Sequence, residues 1–359
     1  MRILDRYLLR DFLVYLGLGL LGFIVIFIVV DLVEKMDVFL DHRAPAWLVL
    51  QYFVNQAPYV VVQVLPVALL LATFLALGQL NKFGELTAMR AGGLSLLRIL
   101  APVFGVGVLC VGLSLVLGEF VVPVANRARN TIFEERIQHL QRQSPIERAD
   151  ITYLGGGGRI WVVGLYLVNE RRMHDVSLQE FRAGQLTRRI DAVEANWERG
   201  RWVFVNGYVR SFVRGAENAE AFQRMGVDGL AEKPDDFAKE GHKPEEMNWF
   251  ELRSYVDRLR ASGARVQNYL VDLHLKLAFP LICLIVVVIG GALATRLRMQ
   301  SAALGFGLSV AISFLYYGIM RACQALGHNG ALPAYVAAWS ADLVFGVVAV
   351  VMMAQAQQR

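Results

Sequence analysis

The sequence predicts a membrane α-helical protein with six transmembrane helices, three before and three after a large water-exposed insert that reads as β. Three observations carry this. First, 56% of the 359 residues are hydrophobic and the mean hydropathy is +0.44, values that point to membrane spans. Second, charge is concentrated in the middle, where residues 125–265 hold 23 of the 36 Lys and Arg and 21 of the 31 Asp and Glu. Third, that middle contains short runs rich in β-branched and aromatic residues, separated by Gly, Asn and Asp. The division that follows is 1–125 for spans one to three, 126–265 for the insert with its flanking helices, and 266–359 for spans four to six.

Phe12–Val30 is 19 residues without a charge, enough to cross a hydrocarbon core of about 30 Å at about 1.5 Å per residue. It is too long for a signal-peptide core and no small-residue cleavage site follows, so a retained span is expected. From Ala44 to Asn81 no charged residue occurs. Pro45, Pro58 and Pro66 predict an interfacial helix there, then a kinked span from about Pro58 to Leu80. A polar island follows. Its Glu85, Leu86, Met89 and Leu94 fall at roughly helical spacing and Gly92-Gly93 supplies a stop, so a short helix is expected within 81–94. By spacing alone it is either a solvated linker or a helix offered to another protein at the membrane surface. Spans three to six are expected near Ile99–Gly118, Leu277–Thr295, Ser301–Met320 and Ala331–Met353, the third ending at Glu119-Phe-Val-Val-Pro123.

Lys and Arg in the short loops set the orientation. One side collects Arg2, Arg6, Arg10, Lys82, Arg90, Arg98, Arg296, Arg298 and Arg359, whereas the other has only Lys35 and Arg43. Both termini and the island are therefore expected in the cytoplasm and the insert outside, which in a bacterial inner membrane means the periplasm. Within the insert, Arg159–Val168, Val176–Phe181 and Arg201–Arg210 read as strands of an antiparallel sandwich or partly open roll, since no βαβ rhythm appears. Asn126–Arg142 and Trp249–Ala261 read as amphipathic helices, and 216–247, with Lys233-Pro234-Asp235-Asp236, reads as a mobile loop.

The chemistry is mostly exclusion. The insert balances its charge to a net of +2, which argues against a nucleic-acid surface. No Gly-x-x-x-x-Gly-Lys-Ser/Thr occurs; Gly155–Gly158 is followed by Arg159 and a strand, as in a hairpin tip. No Gly-x-Ser-x-Gly, His-Glu-x-x-His or paired-carboxylate arrangement stands out, so catalysis and a cofactor or metal in this chain are not expected. Cys110, Cys283 and Cys323 lie in apolar runs and read as small buried hydrophobes. At the outer edge stand Lys35, Arg43, Lys276 and Arg321. Each suits an interfacial anchor that snorkels; as a set they also suit the phosphates of an anionic lipid, with Asp31, Glu34, Glu119 and Asp272 as partners. Asp342, midway through span six, should face a bundle interior, a polar cavity or a hydrogen bond from a neighbouring helix.

Several segments resemble the permease subunits of the bacterial lipopolysaccharide exporter (LptF/LptG, YjgP/YjgQ type). They are Ile3-Leu4-Asp5-Arg6-Tyr7-Leu8-Leu9-Arg10, Leu65-Pro66 with Leu69-Leu70-Leu71-Ala72-Thr73, and the island Glu85-Leu86-Thr87-Ala88-Met89-Arg90-Ala91-Gly92. Glu119-Phe-Val-Val-Pro123, Asp175-Val-Ser-Leu-Gln-Glu-Phe181 and Tyr255-Val-Asp-Arg-Leu-Arg-Ala-Ser-Gly263 resemble them too. The opening and the Tyr-x-x-x-Leu-x-x-x-Gly segment lean toward the LptG-type subunit.

The resemblance implies a six-span fold with a periplasmic β-jellyroll between spans three and four. It implies a sister permease (LptF type), a cytoplasmic ATPase homodimer (LptB type) that binds ATP and Mg, a single-span accessory protein (LptC type) and a periplasmic bridge protein (LptA type). Lipopolysaccharide would leave the inner membrane through the permease cavity and pass along the bridge toward the outer membrane. Glu85 would anchor an ion pair in the ATPase groove, with Leu86, Ala88 and Met89 packing alongside and Thr87 and Arg90 in the same coupling helix. Spans one and five would form a lateral gate, and Lys35, Arg43, Lys276 and Arg321 would meet lipid phosphates. Relatives of the LptG type can carry a basic residue near the end of span one, where this chain has Asp31. Two other classes compete. A mechanotransmission scaffold coupled to an ATPase would not itself move lipid, and four-span proteins of that type lack a roomy bundle. A secondary carrier would need repeated, Gly/Pro-interrupted halves, which are missing.

Overall fold

The computed structural model describes residues 3–138, 147–182, 185–213, 216–238, 244–261, 266–296 and 301–357. Arg2, Arg298 and Arg359 of the orientation set, Ser262 and Gly263 of the Tyr255–Gly263 segment, and the 139–142 end of the helix expected from Asn126 lie outside those residues. The chain divides into a helical unit (Met1–Gln138, Pro244–Arg253, Gln267–Arg359) and a β unit (His139–Lys243, Ser254–Val266).

The helical unit begins with α1 (Ile3–Glu34), α2 (Met36–Asp41) and α3 (Ala46–Lys82). α3 is one helix with both Pro58 and Pro66 inside it, so the expected break between an interfacial helix and a span does not occur. Tertiary packing overrides the proline penalty, because the helix is buried from Leu65 to Leu80 with few gaps. In the turn that Pro66 loosens, the Tyr317 hydroxyl donates to the carbonyl of Gln63. After α4 (Glu85–Ala91) comes α5 (Leu96–Val116). It continues through a π turn (Leu117–Val121) into α6 (Val122–Thr131) and a second π turn (Ile132–Ile137). The separate helix expected from Asn126 is thus a continuation of span three. Pro123 has no N–H and would press on the carbonyl of Glu119; the wider π turn moves that carbonyl aside and lets the helix run on.

The β unit contains one six-stranded antiparallel sheet in the order β1 to β6. Its strands are β1 (Glu147–Gly155), β2 (Arg159–Leu167), β3 (Arg172–Arg182), β4 (Gln185–Glu198), β5 (Arg201–Val213) and β6 (Ala216–Val227). Only β2, β3 and β5 are foreseen by their β-branched and aromatic runs. Trp161, Tyr166, Trp202 and Phe204 form the floor of its core. Phe237, on the short α7 (Pro234–Ala238), sits over them with its ring 5.1 Å from Trp161 and 5.6 Å from Trp202. Two hydrogen bonds tie this segment down: the Tyr166 hydroxyl to the Pro234 carbonyl (3.0 Å) and the Trp202 indole to the Glu232 carbonyl (2.9 Å). Burial pushes the Tyr166 hydroxyl up to about 12. Of the stretch expected as a mobile loop over 216–247, Ala216–Val227 is a strand, Pro234–Ala238 a core plug and Pro244–Glu246 a single turn of 3₁₀ helix, while 239–243 lie outside the described residues. The strand's backbone pairs in register with β5, from Trp202 opposite Val227 to Val213 opposite Ala216, and its polar Asn218, Glu220, Gln223 and Arg224 are exposed. Gly157 and Gly158 turn the β1–β2 hairpin tip.

After α8 (Trp249–Ala261) the chain returns as α9 (Gln267–Ala278), α10 (Ile282–Arg296), α11 (Ala302–His328) and α12 (Ala334–Gln357), with a 3₁₀ turn at Pro280 joining α9 to α10. Among the described residues, six helical stretches are long and apolar enough to cross a membrane: Leu4–Glu34, Ala46–Lys82, Leu96–Ile137, Gln267–Arg296, Ala302–His328 and Ala334–Gln357. α3 is the hub, with α1, α5, α10 and α11 around it. α10 comes close through adjacent glycines. A Cβ at Gly290 would meet Thr73 at 2.9 Å and Leu70 at 3.0 Å, and one at Gly291 would meet Leu100 at 2.9 Å.

Candidate functional site

The helical unit offers functional groups at both ends. At one end, α4 joins α3 to α5. Gly84 (φ +70°) opens the helix, and Gly93 (φ +84°) closes it with a Schellman pattern in which the Leu94 N–H reaches the Met89 carbonyl at 3.2 Å. Ser95 then caps α5 by accepting from the Arg98 N–H at 3.3 Å. The stop expected at Gly92-Gly93 is there, with Gly93 taking the left-handed conformation.

The face presented by α4 differs from the expected one. Leu86 is 3% exposed and belongs to the chain's own core, with Met89 and Leu94 packed against it. Thr87, Ala88 and Arg90 are exposed and Glu85 is half-buried at their edge, where the Tyr7 hydroxyl lies 3.5 Å from its Oε1. Leu86 is thus an anchor that holds the helix in place, and the free face is Thr87, Ala88 and Arg90 with Glu85. Beside it, an Arg98–Asp5 ion pair at 3.0 Å ties α5 to α1.

At the opposite end the four bases do not line one cavity. Lys35 is engaged within the chain, with its ammonium on Asp31 Oδ1 (2.5 Å) and the Tyr52 hydroxyl (2.5 Å), and Tyr52 in turn on Asp31 Oδ2 (3.2 Å). Phe39 and Phe133 enclose this triad. Burial pulls the Lys35 ammonium down, but the bonds to Asp31 and Tyr52 outweigh it and hold Lys35 above the ordinary lysine value. Asp31 is the internal counter-ion of Lys35. Arg43 is exposed in the α2–α3 turn at φ +47°.

Lys276 and Arg321 do come together, lining a cavity of about 1030 Å³ built mainly by α3, the end of α5, the first π turn, α8, α9 and α11. Arg321 donates to Gln324 Oε1 (3.0 Å), and Gln324 Nε2 donates to Asp272 Oδ1 (3.0 Å), an oxygen that also lies 3.0 Å from His328 Nε2. Glu119, on the π turn, accepts the Trp249 N–H at 2.8 Å. Tyr59, Phe120 and Phe279 supply part of the aromatic wall. Sequence reasoning missed Tyr52, Gln324 and His328. The last two were readable, because Arg321, Gln324 and His328 stand at i, i+3 and i+7 on one helical face. Asp342 is buried and accepts the Tyr316 hydroxyl at 2.9 Å, so a neighbouring helix satisfies it.

Among the described residues, no group of three or more His, Cys, Asp or Glu is placed to hold a metal ion. No individual curated protein matches the chain significantly. The sequence profile described as lipopolysaccharide export system permease LptF/LptG matches residues 6–355, across both helical groups and the insert. A six-span helical unit carrying an inserted antiparallel sheet, matched over nearly its whole length, belongs to the lipopolysaccharide export system permease LptF/LptG family.

Proposed function

We propose that this chain is the LptG-type half of an ATP-driven transporter that extracts lipopolysaccharide from the inner membrane and hands it to a periplasmic bridge. The observation that carries the reading is the separation of two devices at opposite ends of one helical unit. α4 is held by Leu86 from behind and leaves Thr87, Ala88, Arg90 and Glu85 for a partner. At the other end, Lys276 and Arg321 share a cavity of lipid-like size. In this reading α4 docks in a groove of a cytoplasmic ATPase homodimer (LptB type), which binds ATP and Mg and supplies the energy. In the same reading α4 and the termini lie in the cytoplasm and the β unit in the periplasm, an orientation that the basic residues at the α4 end support. A sister permease (LptF type) closes the lipid chamber, with spans one and five forming its lateral gate, a single-span accessory protein (LptC type) joins it, and a bridge protein (LptA type) receives the lipid. Lys276 and Arg321 are the phosphate contacts. Lys35 supports the chamber wall through Asp31, and Arg43 stands free at the rim. Glu85→Ala should reduce, and Glu85→Lys abolish, the ATPase subunit that co-purifies with the membrane complex; wild-type recovery and ATPase activity in both variants would refute the docking role.

A further inference from the structure

The cavity of Lys276 and Arg321 is a poor receiver for phosphate alone. Its lining sets three carboxylates, Glu119, Glu245 and Asp272, against those two bases, a net charge of −1 with His328 neutral. A bare phosphate would enter against that charge. Two of the groups are also left without a partner. The half-buried Lys276 ammonium makes no hydrogen bond or ion pair with any described residue. Glu119 gives Oε2 to the Trp249 N–H, while its Oε1 is buried with no hydrogen-bond partner among the described residues. Glu119 and Lys276 line the same cavity, yet the two side chains do not pair. Opposite charges held apart and unsatisfied favour a ligand that offers an anion to one and a cation to the other. Arg321 adds a second anion donor, since Gln324 occupies only one of its five N–H groups.

We propose that this cavity selects a lipid head group whose phosphate is capped by a primary amine, a phosphoethanolamine-type zwitterion. The phosphate lies between Lys276 and Arg321, the ammonium meets Glu119, and the acyl chains run along Leu115, Phe120 and Phe279. This rests on the cavity being the lipid site and adds its selectivity. The same head group occurs on phosphatidylethanolamine and on a lipopolysaccharide with ethanolamine on its lipid A phosphates.

The full-length chain in detergent would be offered two pairs of lipids, with retained lipid measured by mass spectrometry. One pair is phosphatidylethanolamine and its N-acetylated form; the other is lipopolysaccharide with capped and with bare phosphates. The amine-bearing member should be retained about tenfold over its partner, the factor a charge-assisted hydrogen bond supplies; the pair that shows the preference identifies the source. Glu119→Gln, which keeps an acceptor for the Trp249 N–H, should bring retention of the amine-bearing form down to that of its partner. Lys276→Met should lower both forms. No preference by the wild type in either pair overturns the proposal, whatever the variants do, and so does a preference that survives Glu119→Gln. If neither pair shows a preference and Lys276→Met still weakens retention of both lipopolysaccharides, the selectivity falls and the export reading stands; if no lipid of either pair is retained, both fall.

Discussion

Asp31 and Lys35 lie one helical turn apart where α1 ends, and Tyr52 closes the triangle from α3. With 27% of the lysine side chain exposed and Tyr52 buried, solvent screens the pair only in part. Removing the carboxylate by Asp31→Ala should lower stability by about 1–3 kcal/mol, because the ammonium is left without its counter-ion; thermal unfolding in detergent measures this. The pH dependence has a definite sign. Lys35 is held above 10.5 when folded, so its contribution is complete below that value and disappears as pH rises through the folded value. The stability gap between wild type and Lys35→Met should therefore be flat through neutral pH and close above about 10.5. Sequence alone revealed the charges at this edge. It did not reveal the pairing, because Tyr52 lies in a run without charges, and only the path of α3 brings it to Asp31. Asp342 was legible as a buried acid, but its donor, Tyr316, lies on a different helix.

At the level of elements, α10 shows how close packing replaces hydrophobic burial as the organising force inside a membrane. Gly290→Ala should cost about 1–3 kcal/mol by pressing on Thr73 and Leu70. Gly307→Ala on α11 has nothing within 4 Å of the added methyl and should leave stability unchanged or slightly raised. Paired thermal melts of the two variants check the contrast. In the β unit, Phe237→Ala removes the ring that covers Trp161 and Trp202 and should cost about 3–5 kcal/mol, read as early loss of tryptophan near-UV signal. Strands with β-branched and aromatic runs were legible; β1, β4 and β6 were not, since their pairing comes from register with neighbours. The continuous α3 and the span that runs through Pro123 were illegible for a related reason. Proline reads as a stop until the surrounding helices and a π turn are seen to accommodate it.

For the whole molecule, six spans and an inserted β unit were readable from hydropathy and charge, because both properties are set by solvent and need no contact map. The inside-outside assignment is directly testable. A cysteine at Thr87 should react with an impermeant maleimide only from the cytoplasmic side, and one at Asp228 only from the periplasmic side; the reverse pattern would overturn the orientation. The stretch Leu96–Ile137 carries a mechanical consequence. It starts directly behind α4 and runs 42 residues without a loop, about 63 Å of helix. A loop would absorb a displacement as slack, whereas a helix delivers it to its far end, with its compliance concentrated at the two π turns. Spin labels at Leu97 and Thr131 should report one narrow separation with and without nucleotide, and a distribution that splits on ATP binding would show a hinge. In the proposed export cycle, Glu119, carried on the first of those turns, would move with α4, so that a stroke begun at one end of the rod would reach the proposed lipid site at the other.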